Sequence, residues 1–342
     1  MRTPLEEAKG DGALSGLCLP QVTDSHISES SSIAHQRSLC RHTLTSNSGP
    51  IAVYTPTNAL ELRAPKTPLR IAFITSIRDQ GALEFLGQEV SIRGQQNYRM
   101  GTIEYALRES LYGDLSEFID IAAIITDDLD RDVEKSTYGR LPNAGRNWIM
   151  PRHLVTKRGE SVDEITVNIP SDFRHLPVKC PSRPSAKLAF EMRVAKFLEE
   201  RKIDVLVSDH VMLRFENLLT PNLGWLGRIV NTHPAITRAD HPGKSLGKEP
   251  YQAAMERAQT LVVKDQQLWL QRPYLKMGAS FHLIDSGIDT GTVLAEAENT
   301  FVAPCSTEME VSYDNHLHSK NPVFRVGIMN YISNFYPSIV RS

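Results

Sequence analysis

The sequence predicts an α/β domain built on an open, mostly parallel sheet, and three observations carry that prediction. Short apolar, β-favouring runs recur from residue 69 onward. Segments with helical spacing of apolar residues lie between them. Each run ends in polar residues, as expected where strands deliver side chains to a ligand crevice at their carboxyl ends.

The first run, Arg70-Ile71-Ala72-Phe73-Ile74-Thr75, has the continuous apolar character of a strand buried on both faces. The second, Ile119 to Thr126, ends in Asp127-Asp128. The third, Ile203 to Val207, ends at Ser208-Asp209-His210, and the fourth, Arg228-Ile229-Val230, runs into Asn231. Residues 102–111 place Ile103, Leu107 and Leu111 on one helical face. Residues 185–200 align Phe190, Val194, Phe197 and Leu198, with Ser185 after Pro184 as the expected N-cap. Buried strands alternating with amphipathic helices imply a Rossmann-like sheet with helices on both faces.

Around this domain, expected at 69–300, lie three weaker segments. Residues 1–68 read as a poorly structured N-terminal extension, with a serine-rich stretch from Ser28 to Ser32. Residues 131–183, rich in Pro, Gly, Arg and Asn, read as an irregular insertion or flap, too long for a plain connector. Residues 301–342 read as a short C-terminal helical segment. There Thr307 and Glu310 form a capping box, and Asn321-Pro322 opens a second helix running over Val323 to Phe335.

Composition narrows the function classes. The 342 residues carry 38 Lys and Arg against 40 Asp and Glu, a formal charge of −2 that argues against a polyanionic partner such as nucleic acid. No apolar stretch approaches the roughly 20 residues that span a bilayer, so no membrane association is expected. Met1 to Pro20 lacks the pattern of a secretory signal. Cys18, Cys40, Cys180 and Cys305 lie far apart without metal-ligand spacing and read as reduced thiols of a cytoplasmic protein. His316 and His318 would diverge on a helix, so no metal site is expected there or elsewhere.

Three clusters carry chemistry. Asn231-Thr232-His233-Pro234 leaves a buried strand, and an amide and an imidazole two residues apart on an extended chain face the same side. That pair suits stabilisation of an oxyanion together with handling of a proton. A second cluster runs from Gly278 through His282-Leu283-Ile284-Asp285 to Asp289-Thr290-Gly291, a strand entering a Gly-punctuated loop with two carboxylates. A third, Val211-Met212-Leu213-Arg214-Phe215, follows the third strand.

Together these clusters resemble the catalytic core of the 10-formyltetrahydrofolate-dependent formyltransferases. That family has Asn-x-His-Pro, then Gly-x-x-x-His, and seven residues later the Asp of Asp-x-Gly. Here His282 plus seven is Asp289, before Thr290-Gly291, and Gly247-Lys248-Glu249-Pro250 is similar to the family's segment opening a helix. The resemblance implies the formyltransferase fold, Asn231, His233 and Asp289 as catalytic residues, and 10-formyltetrahydrofolate as the formyl donor. It implies folate contacts from Met212, Leu213, Arg214 and Phe215 and from His282, Leu283, Ile284 and Asp285. The family usually has Met-Arg-x-Leu in the first of these strips; here the Arg falls one place later. The expected chemistry has Asn231 and a protonated His233 donating to the formyl oxygen, with Asp289 orienting His233 and favouring its charged form.

The acceptor is read from what surrounds the core. Thr75 to Gly81 lacks the closely spaced glycines of a phosphate cradle, and the 51 residues after Gly291 contain no dense basic patch for RNA. The text around Arg78-Asp79, Phe85 to Val90 and Arg99-Met100-Gly101 is most similar to the siderophore branch, which formylates the hydroxylamine nitrogen of N(5)-hydroxyornithine. The partner implied is a small amine or hydroxylamine, with Arg78, Asp79, Gln88 and Arg93 as candidates to bind its amino-acid end. An amino sugar nucleotide as acceptor, and hydrolysis of the donor by water, remain as alternatives on the same core.

Overall fold

The computed structural model describes residues 52–53, 67–76, 86–129, 132, 151–211, 213–241, 244–245, 250–264, 275–303 and 306–336. The strands are β1 (Ala52–Val53), β2 (Leu69–Thr75), β3 (Gln88–Ile92), β4 (Gln95–Arg99) and β5 (Ile119–Thr126). They continue with β6 (Thr166–Asn168), β7 (Val205–Ser208), β8 (Ile229–His233), β9 (Leu275–Leu283) and β10 (Val293–Val302). The helices are α1 (Thr102–Tyr112), α2 (Val162–Ile165), α3 (Arg183–Glu200), α4 (Pro250–Lys264), α5 (Glu308–Asn315) and α6 (Asn321–Asn334).

Among the described residues one sheet runs in the order β1-β10-β9-β8-β7-β2-β5-β6. Strands β6, β5, β2, β7 and β8 are mutually parallel, while β9, β10 and β1 continue the sheet through antiparallel pairs. The expected open, mostly parallel α/β sheet is therefore present. Strands β2 and β5 are buried almost throughout, which is why they read as unbroken apolar runs.

Alternation along each strand divides the core into two layers. Phe73, Val207, Val230 and Phe281 face α1 and α6, where Ile103, Leu107, Phe324 and Ile328 meet them. Ile74, Leu206 and Ile229 face the other way, onto Phe190, Val194 and Leu198 of α3. Close approach of α6 needs Gly327, since a Cβ there would strike the ring of Phe281. A smaller cluster joins Tyr251 and Ala254 of α4 to Met277, Val302 and Val311.

Several local expectations shift. Helix α3 begins at Arg183 after Ser182, two residues before the expected start, with Pro184 in its first turn, where no N–H is needed. Strand β8 does not stop at Val230 but carries Asn231 to His233 within the ladder. The capping box at Thr307 and Glu310 is present, yet α5 and α6 are one continuous rod joined by a π turn at His316–Lys320. Ala52–Val53, inside the stretch read as an extension, pairs with β10. Of residues 131–183, Asp132 and 151–183 are described; they add β6 to the sheet edge beside β5. Hairpin β3–β4 turns on Arg93 and Gly94, both at positive φ (51° and 76°), the pattern of a tight hairpin turn. Among the described residues no helix is long and apolar enough to cross a membrane.

Candidate active site

The site forms where β8 and β9 meet. Antiparallel pairing sets Asn231 opposite His282 and His233 opposite Ser280, so the motif strand and the Gly-x-x-x-His strand share one register. The loop after β9 then folds back. Asp285 Oδ1 accepts from the Gly287 amide (2.9 Å) and from Thr290 Oγ1 (2.7 Å), a turn held by a side chain. Gly291 closes it, since a Cβ there would run into the Leu283 carbonyl oxygen. Between these ties Asp289 adopts φ +50°, a left-handed conformation that Asp tolerates better than most residues.

That turn brings the three expected catalytic residues together. Asn231 Nδ2 donates to Asp289 Oδ1 at 3.1 Å, and Asp289 Oδ2 lies 3.5 Å from His233 Nδ1. His282 adjoins the same group, with Nε2 3.3 Å from Asn231 Nδ2 and 3.6 Å from Asp289 Oδ1. The Leu283 carbonyl accepts from His282 Nδ1 at 2.8 Å, which leaves Nε2 as an acceptor. Both amide hydrogens of Asn231 are thus held, one by Asp289 and one by His282.

His233 departs from the expected charge state. Burial drives its pKa down to about 4 against the pull of Asp289, and the nearby His282 and Lys320 push the same way as burial. The imidazole is therefore neutral near pH 7, not protonated. Its Nε2 lies 3.1 Å from the Ser245 carbonyl, an obligate acceptor, so the ring proton sits there and Nδ1 presents a lone pair toward Asp289.

The other expected site residues are placed as follows. Leu213 and Ile284 are half-buried and pack on the α3-side core, as does Val211. Phe215 is 1% exposed, wholly within that core, and has only backbone to offer a ligand. Arg214 is half-exposed beside Glu216. Glu191 of α3, which the sequence reading passed over, fixes this strip by accepting from the amides of Glu216 and Leu218. Gln88 opens β3, and Arg93 at the hairpin turn pairs with Asp314 and Glu310 of α5. Met212, Arg78 and Asp79 lie outside the described residues.

Two further carboxylates at the strand ends are held by partners within the protein. Asp127 accepts from Ser76 Oγ and Ser171 Oγ, each at 2.7 Å, tying the ends of β2 and β5 to the segment after β6. Asp209 pairs with Lys320 of the π turn at 2.6 Å, deep in the protein.

No family model matches the sequence, and neither does any curated protein. Solved structures do. PvdF of pyoverdin biosynthesis, described as a structurally unique N10-formyltetrahydrofolate-dependent formyltransferase, is 27% identical with a TM-score of 0.66, over 77% of this chain and 98% of that one. Phosphoribosylglycinamide formyltransferase from Bacillus halodurans aligns over 77% of this chain and 95% of its own, at 18% identity and a TM-score of 0.45. Formyltetrahydrofolate deformylase from Burkholderia mallei gives 12% identity and a TM-score of 0.42, over 78% of this chain and 66% of that one. From its likeness to PvdF, this chain has the formyltransferase fold.

Proposed function

We propose that this protein is an enzyme that transfers the formyl group of 10-formyltetrahydrofolate to the hydroxylamine nitrogen of N(5)-hydroxyornithine. The observation that carries the transferase reading is the convergence of Asn231, His233 and Asp289 at the carboxyl edge of the sheet. Likeness to PvdF supports the donor. The acceptor rests on the sequence text around Arg78-Asp79 and Arg99-Met100-Gly101.

The chemistry follows from the resting state. The acceptor nitrogen adds to the formyl carbon, and the carbonyl π electrons move to oxygen. That oxyanion takes over an N–H of Asn231, the longer and weaker one now facing His282. The nitrogen loses its proton to His233 Nδ1, and Asp289 stabilises the imidazolium that results. Collapse breaks the bond from the formyl carbon to N10, and the same proton leaves with tetrahydrofolate. A neutral His233 suits this sequence because it begins as a base.

A hydroxylamine fits that base. The side-chain amine of ornithine, with a pKa of about 10.4 like that of Lys, is unprotonated in only about one molecule in 10³ at neutral pH. A hydroxylamine is already neutral there. The folate strip in this reading is Met212 to Phe215 with His282 to Asp285, and Gln88, Arg93, Arg78 and Asp79 stay candidates for the acceptor's polar end.

The test is competition between N(5)-hydroxyornithine, ornithine and an amino sugar nucleotide, read by product mass and tetrahydrofolate release. The hydroxylamine should win by a wide margin. Preference for the sugar would overturn the acceptor, and donor consumption indifferent to every acceptor would make the protein a hydrolase.

A further inference from the structure

On the sheet face opposite the catalytic side chains lies a second polar cluster that the mechanism does not use. The strand alternation that turns Phe73, Val207 and Val230 toward α6 also turns Thr75, Asp209 and Thr232 that way, at the carboxyl ends of three adjacent strands. Above them sits the π turn, a local widening of the helix that recurs at functional sites. Its Lys320, 1% exposed, gives one proton to Asp209 at 2.6 Å and lies 3.1 Å from His210 Nε2. His210 itself holds φ +56° and stacks on His316 with ring centres 5.8 Å apart. Arg99, also 1% exposed, contacts Ser312 Oγ and Met309 Sδ on α5.

What distinguishes this cluster from ordinary packing is its unused polar atoms. Thr75 Oγ1, Thr232 Oγ1 and His316 Nε2 are all buried with no hydrogen-bond partner among the described residues, and Tyr251 Oη is buried with the Ser312 side chain beside it. Native interiors leave few such groups, because each forfeits its bonds to water. Three of them, with the Tyr251 hydroxyl, around a buried Lys–Asp pair amount to a site prepared for a polar guest. The guest's chemistry can be read from the donors and acceptors. Arg99, Lys320 and the hydroxyls of Thr75, Thr232 and Tyr251 donate. Asp209 accepts, and so does His316 Nε2, because His316 Nδ1 gives its proton to the Ser312 carbonyl at 2.9 Å. A cluster offering both signs complements a zwitterion.

We propose that this cluster seats the α-carboxylate and α-ammonium of the acceptor, with Arg99 and Lys320 on the carboxylate and Asp209 and His316 on the ammonium. The proposal rests on the amino-acid reading of the acceptor given above, and it moves the head group away from the hairpin turn, where the Arg93 side chain is exposed, to a buried pair. Distance to the chemistry is short. Ser208, the neighbour of Asp209, pairs with Asn231, and the charge of Lys320 is felt at His233. Of the folate strip, Leu213, Phe215 and Ile284 pack on the α3 side, whereas Leu283 packs on the α6 side with this cluster, so donor and acceptor would meet at the sheet edge.

The test compares N(5)-hydroxyornithine with its descarboxy analogue, N-hydroxy-1,4-diaminobutane, in the full-length enzyme. The wild type should favour the amino acid in kcat/KM by roughly 10- to 100-fold, the scale of a charge-assisted contact. Lys320→Met should bring the two acceptors to similar kcat/KM, chiefly by raising KM for hydroxyornithine. Tyr251→Phe, which removes a single hydroxyl beside Ser312, should raise that KM several-fold with little change in Tm, and it decides the matter if Lys320→Met does not fold. A wild type indifferent to the carboxylate overturns the proposal, as does a folded Lys320→Met that keeps the preference or a Tyr251→Phe with unchanged KM. Failure of the wild type to formylate either hydroxylamine, while it formylates the amino sugar, overturns the acceptor reading beneath it instead.

Discussion

Asn231 and Asp289, 58 residues apart in the chain, are joined by a hydrogen bond of 3.1 Å from the amide nitrogen to the carboxylate. This contact closes the candidate site. It exists because β9 returns antiparallel beside β8 and the loop after it doubles back under the constraint of Asp285 and Gly291. Neither residue is useful alone. The amide needs the carboxylate to hold its orientation, and the carboxylate needs the left-handed turn to face the imidazole.

Replacing Asn231 or His233 with Ala should lower kcat by about two to three powers of ten, the usual effect of losing an oxyanion donor or its proton partner. Thermal unfolding should shift little for Asn231→Ala, because the amide is only half-buried. Rapid-quench measurement of tetrahydrofolate release checks both. Near-normal turnover in both variants would mean that other groups carry the charge.

Asp289 separates charge from conformation. Asn tolerates a left-handed φ about as well as Asp, so Asp289→Asn should fold normally while losing roughly 10²-fold or more in kcat. Asp289→Ala should suffer in both respects, since Ala at positive φ is strained. Equal melting temperatures for the two variants would contradict the strain argument, and an active Asp289→Asn would contradict the role of the charge.

The glycine that closes the loop offers a test at a distance from the substrate. In Gly291→Ala the new Cβ would collide with the Leu283 carbonyl, which also receives the His282 Nδ1 proton. Relief requires the loop to move, and Asp289 moves with it. A displacement near 1 Å at the site costs about 10²-fold in rate. Turnover should therefore fall much more than stability does, a difference seen by pairing kinetics with calorimetry.

Much of this was legible in the sequence for a physical reason. Strands buried on both faces must be apolar throughout, so β2, β5 and β7 announce themselves. The Asn-x-His pair and the seven-residue step from His282 to Asp289 are local, and local spacing survives in a linear text. The charge state of His233 was not legible, because it depends on burial that only the assembled fold imposes. Nor was the cluster around Lys320. Its pairing with Asp209 spans 111 residues, and nothing near either residue signals the other. Asn321-Pro322 read as a fresh helix start, whereas a π turn carries the rod through it and sets Lys320 inward.

The buried histidines predict how stability responds to acid. His233, His210 and His316 all have folded-state pKa values below the ordinary 6.5, each chiefly through desolvation. For His233 the surroundings are mixed: Asp289 opposes the shift, while His282 and Lys320 reinforce it. In the unfolded chain these imidazoles take up protons as pH falls through about 6.5, whereas the folded protein takes none until far lower. The unfolded state then binds more protons, so stability is complete above about pH 6.5 and is lost as pH falls toward 4. For His233 alone the loss by pH 4 is on the order of a few kcal/mol. Melting temperature measured from pH 7.5 down to 5 should fall steadily for the wild type and less steeply for His233→Asn, which has no proton to take up. A steeper fall in the variant would mean that the folded protein binds the proton more tightly than the unfolded chain. His233 would then be an imidazolium at rest, and the base role assigned to it here would have to pass to Asp289.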